Sequence, residues 1–191
     1  GMIKTILILY LKLQNKMTKL LNVILLIILF ASCNNSKKKD NDVKALKQLD
    51  SPADSVSAEP YLFTDKNGLV YLSWIEKTKE NSSLKFSVLN NERWSAPSTI
   101  TSGNNWFVNW ADYPMLASDG SNLIAHILQK SAKSTYAYDV KFTTYADKGN
   151  SWSDLKILHD DVKNAEHGFV SLMPYQDKFF VSWHDGRHTV N

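Results

Sequence analysis

The chain has 191 residues, 43% of them hydrophobic, and a formal net charge of +3, which suits one or two domains. Its single cysteine, Cys33, excludes an internal disulfide. The mild positive balance, owed largely to the first sixty residues, gives no sign of a nucleic-acid partner, and that first third does not read as globular.

Lys16 and Lys19 precede the apolar run Leu20-Leu21-Asn22-Val23-Ile24-Leu25-Leu26-Ile27-Ile28-Leu29-Phe30, which leads into Ala31-Ser32-Cys33. A basic start, an apolar stretch too short to span a bilayer and a small-residue cleavage site make residues 1–33 an export leader. Met2 and Met17 both remain open as its start. The place of Cys33 directly after Ala-Ser resembles a bacterial lipobox, with Phe30 where leucine is usual. The resemblance implies lipidation of Cys33 and anchoring in the bacterial cell envelope; the other reading is an ordinary signal peptide with an incidental cysteine. Residues 34–59, with Lys37-Lys38-Lys39-Asp40, carry too little apolar surface to offset chain entropy and read as a flexible tether.

From Pro60 onward the pattern is all-β. Strands are predicted at Tyr61–Phe63, Leu69–Ile75 and Leu84–Leu89, the last from Leu84, Phe86 and Val88 alternating against Lys85 and Ser87. A fourth follows Trp94 and ends near Ile100. Asp65-Lys66-Asn67-Gly68 is a hairpin turn. Further strands are predicted at Met115–Ala117, Leu123–Leu128, Tyr138–Thr144, Trp152–Leu158, Phe169–Met173 and Phe179–Trp183.

These elements repeat. Pro60-Tyr61-Leu62-Phe63-Thr64-Asp65 is echoed 54 residues later by Pro114-Met115-Leu116-Ala117-Ser118-Asp119. Leu62, Leu116 and Leu172 recur at steps of 54 and 56, and Trp74, Leu128 and Trp183 at steps of 54 and 55. A four-stranded unit at this period is the mark of a β-propeller blade, a sheet that buries both faces against its neighbours. The blades fall at about 60–105, 106–160 and 161–191, roughly two and a half in all. The open blade edges predict self-association.

Tyr145-Ala146-Asp147-Lys148-Gly149-Asn150-Ser151-Trp152 resembles the Asp box (Ser-x-Asp-x-Gly-x-x-Trp) of sialidases and related BNR-repeat propellers, with Tyr145 in place of Ser or Thr. Asp147 can cap turn N–H groups, Gly149 permits positive φ and Trp152 packs between sheets, so the box is structural. The phrases Trp106-Phe107-Val108-Asn109-Trp110-Ala111-Asp112-Tyr113-Pro114, Thr135-Tyr136-Ala137-Tyr138-Asp139-Val140, Glu166-His167-Gly168-Phe169 and Trp183-His184-Asp185-Gly186-Arg187 are similar to those of exported bacterial sialidase-like proteins. The resemblance covers about Pro60 to Arg187. It implies a six-bladed propeller, of which this chain supplies the N-terminal part.

Propeller geometry places the turns at Asp65 and Asp119 and the Asp box at one end. Residues 106–112, 131–136, 159–167 and 184–188 fall at the other. That second end gathers the candidate site. Trp106, Trp110 and Tyr136 offer platforms for a sugar ring, with Glu166 and His167 beside them as substrate-binding residues. Asp112 and Asp185 can serve as acid or base, and Arg187 can clamp a carboxylate. Each has a plainer alternative: Trp106, Val108 and Trp110 alternate like a buried strand edge, Asp185-Gly186 is a good turn pair, Arg187 can pair with Asp185 or Asp112, and His167 suits a satisfied hydrogen bond between blades. His159, Asp160, Asp161, His167, His184 and His188 supply metal-ligand types, but no helical HExxH or Cys pair organises them, so no metal and no cofactor is expected.

Sialidases, which the resemblance brings into view, use a tyrosine nucleophile and an Asp acid/base and hold the substrate carboxylate with three arginines. This chain has two, Arg93 and Arg187, with Arg93 at the Asp-box end. The expectation is an envelope lipoprotein concerned with carbohydrate: glycan binding, or exo-glycosidase activity on sialosides in a complete relative. The alternative is a truncated, non-catalytic propeller fragment acting as a structural or interaction module.

Overall fold

Side chains that alternate in the sequence alternate between the two faces of a sheet in the computed structural model, which describes residues 14–22, 46–146 and 151–189. The chain divides into two units, Gly1–Lys47 and Gln48–Asn191. In the first, residues 14–22 are helical, and no helix among the described residues is long and apolar enough to cross a membrane. Cys33, Asp147 and Gly149 lie outside the described residues.

The second unit is all-β, built of three antiparallel sheets in chain order. The first holds β1 (Ser57–Thr64), β2 (Val70–Lys77), β3 (Ser82–Asn90), β4 (Arg93–Trp94) and β5 (Ser98–Gly103), with β4 and β5 both pairing β3. The second holds β6 (Leu116–Ser118), β7 (Asn122–Lys130), β8 (Tyr138–Ala146), β9 (Ser151–Trp152) and β10 (Lys156–Ile157), with β9 and β10 both on β8. The third is the hairpin of β11 (His167–Tyr175) and β12 (Lys178–Asp185). Every predicted strand is present; the fourth strand of each of the first two units is split in two.

The second sheet is covered on both faces. Leu116, Ala125 and Ile127 pack on Tyr71, Ile75, Leu84 and Ile100 of the first sheet. Ala117 and Ile124 pack on Leu172, and Leu128, Tyr138 and Val140 meet Trp183 and Val170. This explains why β7 reads as an almost unbroken apolar run: residues of both parities are buried.

The repeat is physical as well as textual. Asp65 Oδ1 accepts the Asn67 and Leu69 N–H groups at 2.9 and 3.0 Å. Asp119 Oδ1 accepts those of Ser121 and Asn122, both at 2.8 Å. Gly68 sits at φ 81°, where a side chain would strain the turn. Leu62, Leu116 and Leu172 occupy the same register in β1, β6 and β11, facing Leu72, Ala125 and Val181. Their exposures are 62, 1 and 5%: Leu116 and Leu172 each point at the preceding sheet, and Leu62 points away from the sheet that follows it.

One sequence equivalence is corrected. Phe63 pairs Tyr71 whereas Ala117 pairs Ile124, so the first turn is one residue longer than the second. The partner of Trp74 in the repeat is therefore Ile127, not Leu128. A shift of one residue moves a side chain to the other face, and Leu128 indeed faces the third sheet.

A second recurrence lies partly outside the expected domain. β1 begins at Ser57, three residues inside the stretch read as tether, and carries a bulge between Ala58 and Tyr61 with Glu59 at φ 55°. β11 carries the same bulge between Gly168 and Ser171, with Phe169 at φ 48°. Bulges re-aim side chains, and the second of them builds the candidate site.

Candidate functional site

The first turns of the three sheets, at Asp65, Asp119 and Gln176, meet at one end of the unit around a pocket lined by Lys66, Asp119, Asn122 and Asp177. At the other end of the strands the residues singled out from the sequence converge. Asp112, on the link into β6, is buried. Its Oδ1 accepts the Phe169 N–H at 2.8 Å and its Oδ2 the Tyr138 hydroxyl at 3.1 Å. The same hydroxyl lies 2.8 Å from Glu166 Oε1. Three segments far apart in sequence are thus joined through one phenol.

Each partner is held from behind. Tyr138 is buried, its ring stacked on Phe107 at 4.1 Å and 8°. Its N–H donates to Ala165 O at 3.1 Å, which ties the start of β8 to the link before β11. Gly168 is required by space: a Cβ there would run into the Asp112 carboxylate and come within 2.8 Å of the Tyr138 ring. Phe169 accepts left-handed backbone strain, and the result is an N–H aimed at Asp112 and a ring turned to solvent.

Burial raises the Asp112 carboxyl above the ordinary aspartate range, against the lowering effect of the Phe169 N–H and the Tyr138 hydroxyl. Burial also raises the Tyr138 phenol, and the Glu166 carboxylate it bonds adds to the shift. Tyr138 is therefore a neutral phenol held between two carboxyl groups, with one proton to give to either of them.

Around Asp112 lies a shallow pocket of about 160 Å³ lined by Ala111, Asp112, Tyr113, Phe169 and Val170. That is smaller than a site which encloses a ligand, and it suits one edge of a molecule lying across the surface. Trp110 stands beside it at 82% exposure, and Tyr113 and Phe169 are also exposed. Tyr136 is exposed as well, its ring 6.4 Å from Phe107. Trp106 differs: it packs against the core between the first two sheets, so its alternation with Val108 marks a buried edge.

Arg187 and Asp185 form a separate knot. The Arg187 Nε donates to both Asp185 oxygens at 2.9 Å, Nη1 reaches Asp160 at 2.8 Å, and Nη2 reaches Asp185 and Asp161 at 2.6 and 3.2 Å. The guanidinium holds the Asp185 carboxyl well below the usual range. It pairs with Asp185, as the plainer sequence reading had it, and does not reach Asp112. His167 is fully buried and faces Asp161 at 3.1 Å.

Sequence reasoning gave no role to Tyr138, Asp139, Gly168 or Phe169. The signal for Gly168 was local, a glycine between two large residues at a strand start; Tyr138 and Asp139 needed the pairing of β7 with β8. Of the three box residues given a role, Asp147, Gly149 and Trp152, the described one is Trp152; it is half-buried and packs edge-on against Phe86 at 6.1 Å and 80°, the inter-sheet role expected of it.

Comparison of the chain with protein-family models, curated proteins and solved structures gave no match in any of the three.

Proposed function

We propose that this chain is part of a sialidase-like β-propeller, lipid-anchored at Cys33 in the bacterial envelope, whose Asp112 face binds glycan. Three sheets stacked in chain order, one of them covered on both faces, support radial packing of blades. The observation that carries the functional reading is a buried carboxyl, Asp112, opening into a shallow pocket lined by the exposed Tyr113 and Phe169, with the exposed Trp110 two positions before Asp112 in the chain. Aromatic faces take the apolar side of a sugar ring, and a fixed acid takes its hydroxyls. The reading is binding without turnover. Both arginines of the chain are accounted for, Arg187 by three carboxylates and Arg93 by its place on β4.

The raised carboxyl of Asp112 favours a second reading, an exo-glycosidase with Asp112 as the proton donor. The experiment applies the full-length chain to a glycan array and, in parallel, to a fluorogenic sialoside. Retention on sialylated or other glycans that Trp110→Ala abolishes, with no fluorophore release, supports the binding module. Release that Asp112→Asn abolishes supports the enzyme. No retention and no release would leave only the structural fragment.

A further inference from the structure

We propose that Asp139, His159 and His167 form a binding site for one divalent transition ion of the zinc type, at the start of β8 where the link from β10 turns into β11. The inference is independent of the glycan reading and reverses the expectation, drawn from sequence, that no metal is held. His159 is buried, its side chain only 1% exposed, yet neither ring nitrogen has a hydrogen-bond partner. Its ring stacks on that of His167 at 3.9 Å and 5°. The acceptors nearest to His159, carboxylate oxygens of Asp139 and Asp161, are 3.4 Å away and out of hydrogen-bond alignment, and a buried imidazole so poorly satisfied is costly unless something else satisfies it.

The donor atoms cluster in one place. Asp139 Oδ1 lies 3.4 Å from His159 Nε2 and 4.0 Å from His167 Nδ1, and the three donor atoms all lie within 4.8 Å of one another. Two ligands of a tetrahedral zinc ion, each about 2.1 Å from the metal, stand roughly 3.4 Å apart. The opposite nitrogens of both rings face one oxygen: Asp161 Oδ2 is 3.1 Å from His167 Nε2 and 3.4 Å from His159 Nδ1. Directing each ring proton at Asp161 leaves lone pairs on the nitrogens facing Asp139. That is the outer arrangement in which a carboxylate sets the tautomer of metal-bound histidines. For His167 this tautomer gives up the contact of Nδ1 with the Tyr138 carbonyl oxygen, 3.3 Å away, so binding an ion exchanges that contact for a metal bond.

Charge points the same way. Asp139, Asp161 and Asp185 crowd the two rings, and of these Arg187 reaches only Asp161 and Asp185. Asp139 faces the imidazoles and no guanidinium or ammonium among the described residues. Nitrogen donors disfavour Ca²⁺ and Mg²⁺. Parallel rings must tilt to share an ion, so loading changes their stacking.

The test is titration of the EDTA-treated full-length chain with Zn²⁺ by calorimetry and with Co²⁺ by visible absorption. One equivalent is expected, with a rise in Tm that chelator reverses. His159→Gln and Asp139→Asn should each abolish it, whereas His188→Gln, at an exposed position, should not. Among the described residues the Asp139 side chain makes no hydrogen bond, only its contacts with the two histidines, so Asp139→Asn should keep the fold where His159→Gln disturbs it. Absence of binding to the unaltered chain, or equal binding by Asp139→Asn, would overturn the assignment.

Discussion

Acid should destabilise this protein through one histidine in the middle of β7. His126 is almost fully buried, and its Nε2 accepts the Met115 N–H at 3.0 Å. Protonation would set a donor against that donor and bury a charge with no counter-ion; burial holds the ring down to about 3, from an ordinary 6.5. Between those values the unfolded chain binds a proton that the folded chain refuses, so stability is complete above about pH 6.5 and falls with acidification until about pH 3. The slope is about 1.4 kcal/mol per pH unit, giving a loss of about 2 kcal/mol at pH 5. Other groups titrate over the same range, so the measurement is a difference. Urea unfolding, followed by tryptophan fluorescence at fixed protein concentration, compares the unaltered chain with His126→Gln at neutral pH and at about pH 5. Glutamine can still accept from Met115 but does not titrate. The stability advantage of the unaltered chain should shrink by about 2 kcal/mol on acidification; a gap that does not move with pH would refute the reasoning.

Four further outcomes follow from the site and its scaffold. Asp112→Ala, which leaves the Phe169 N–H without its acceptor and the Tyr138 hydroxyl with Glu166 alone, should cost about 1–3 kcal/mol in urea unfolding, while Asp112→Asn costs much less. Gly168→Ala should cost about 1–3 kcal/mol, because the added carbon must displace the Asp112 carboxylate; an unchanged midpoint would contradict the close approach. Trp110→Ala should leave stability within about 0.5 kcal/mol yet weaken glycan retention at least about tenfold. Met173, Tyr175 and Phe180 leave an apolar face on the β11–β12 hairpin. Light scattering should therefore show self-association that Phe180→Lys reduces, and a monomer unaffected by that change would argue against it.

What the sequence disclosed was local chemistry. The Asp65 and Asp119 turns follow from a carboxylate beside small polar residues, and the strands follow from alternation in stretches such as Leu84-Lys85-Phe86-Ser87-Val88. A single missing residue in the second turn misled the count, pairing Trp74 with Leu128 when the register gives Ile127. The bulges at Glu59 and Phe169 left no signal, since both residues are of types that rarely adopt positive φ. His126 was hidden inside an apolar run. The site lay deeper still. That Asp112 and Glu166 belong to the same end was readable from the order of strands, but their meeting through Tyr138 depends on three sheets packing together. The stacked His159 and His167 are eight positions apart in the numbering, joined by a link whose path no local rule sets.

The glycan-facing role of Asp112 is tested most directly by amide chemical shifts. The full-length chain, labelled with ¹⁵N, is titrated with the oligosaccharide that the array retains best. The account predicts shifts concentrated at Trp110, Asp112, Tyr113 and Phe169, with the turns at Asp65 and Asp119 unmoved. Shifts confined to those turns, or none at saturating sugar, would contradict it.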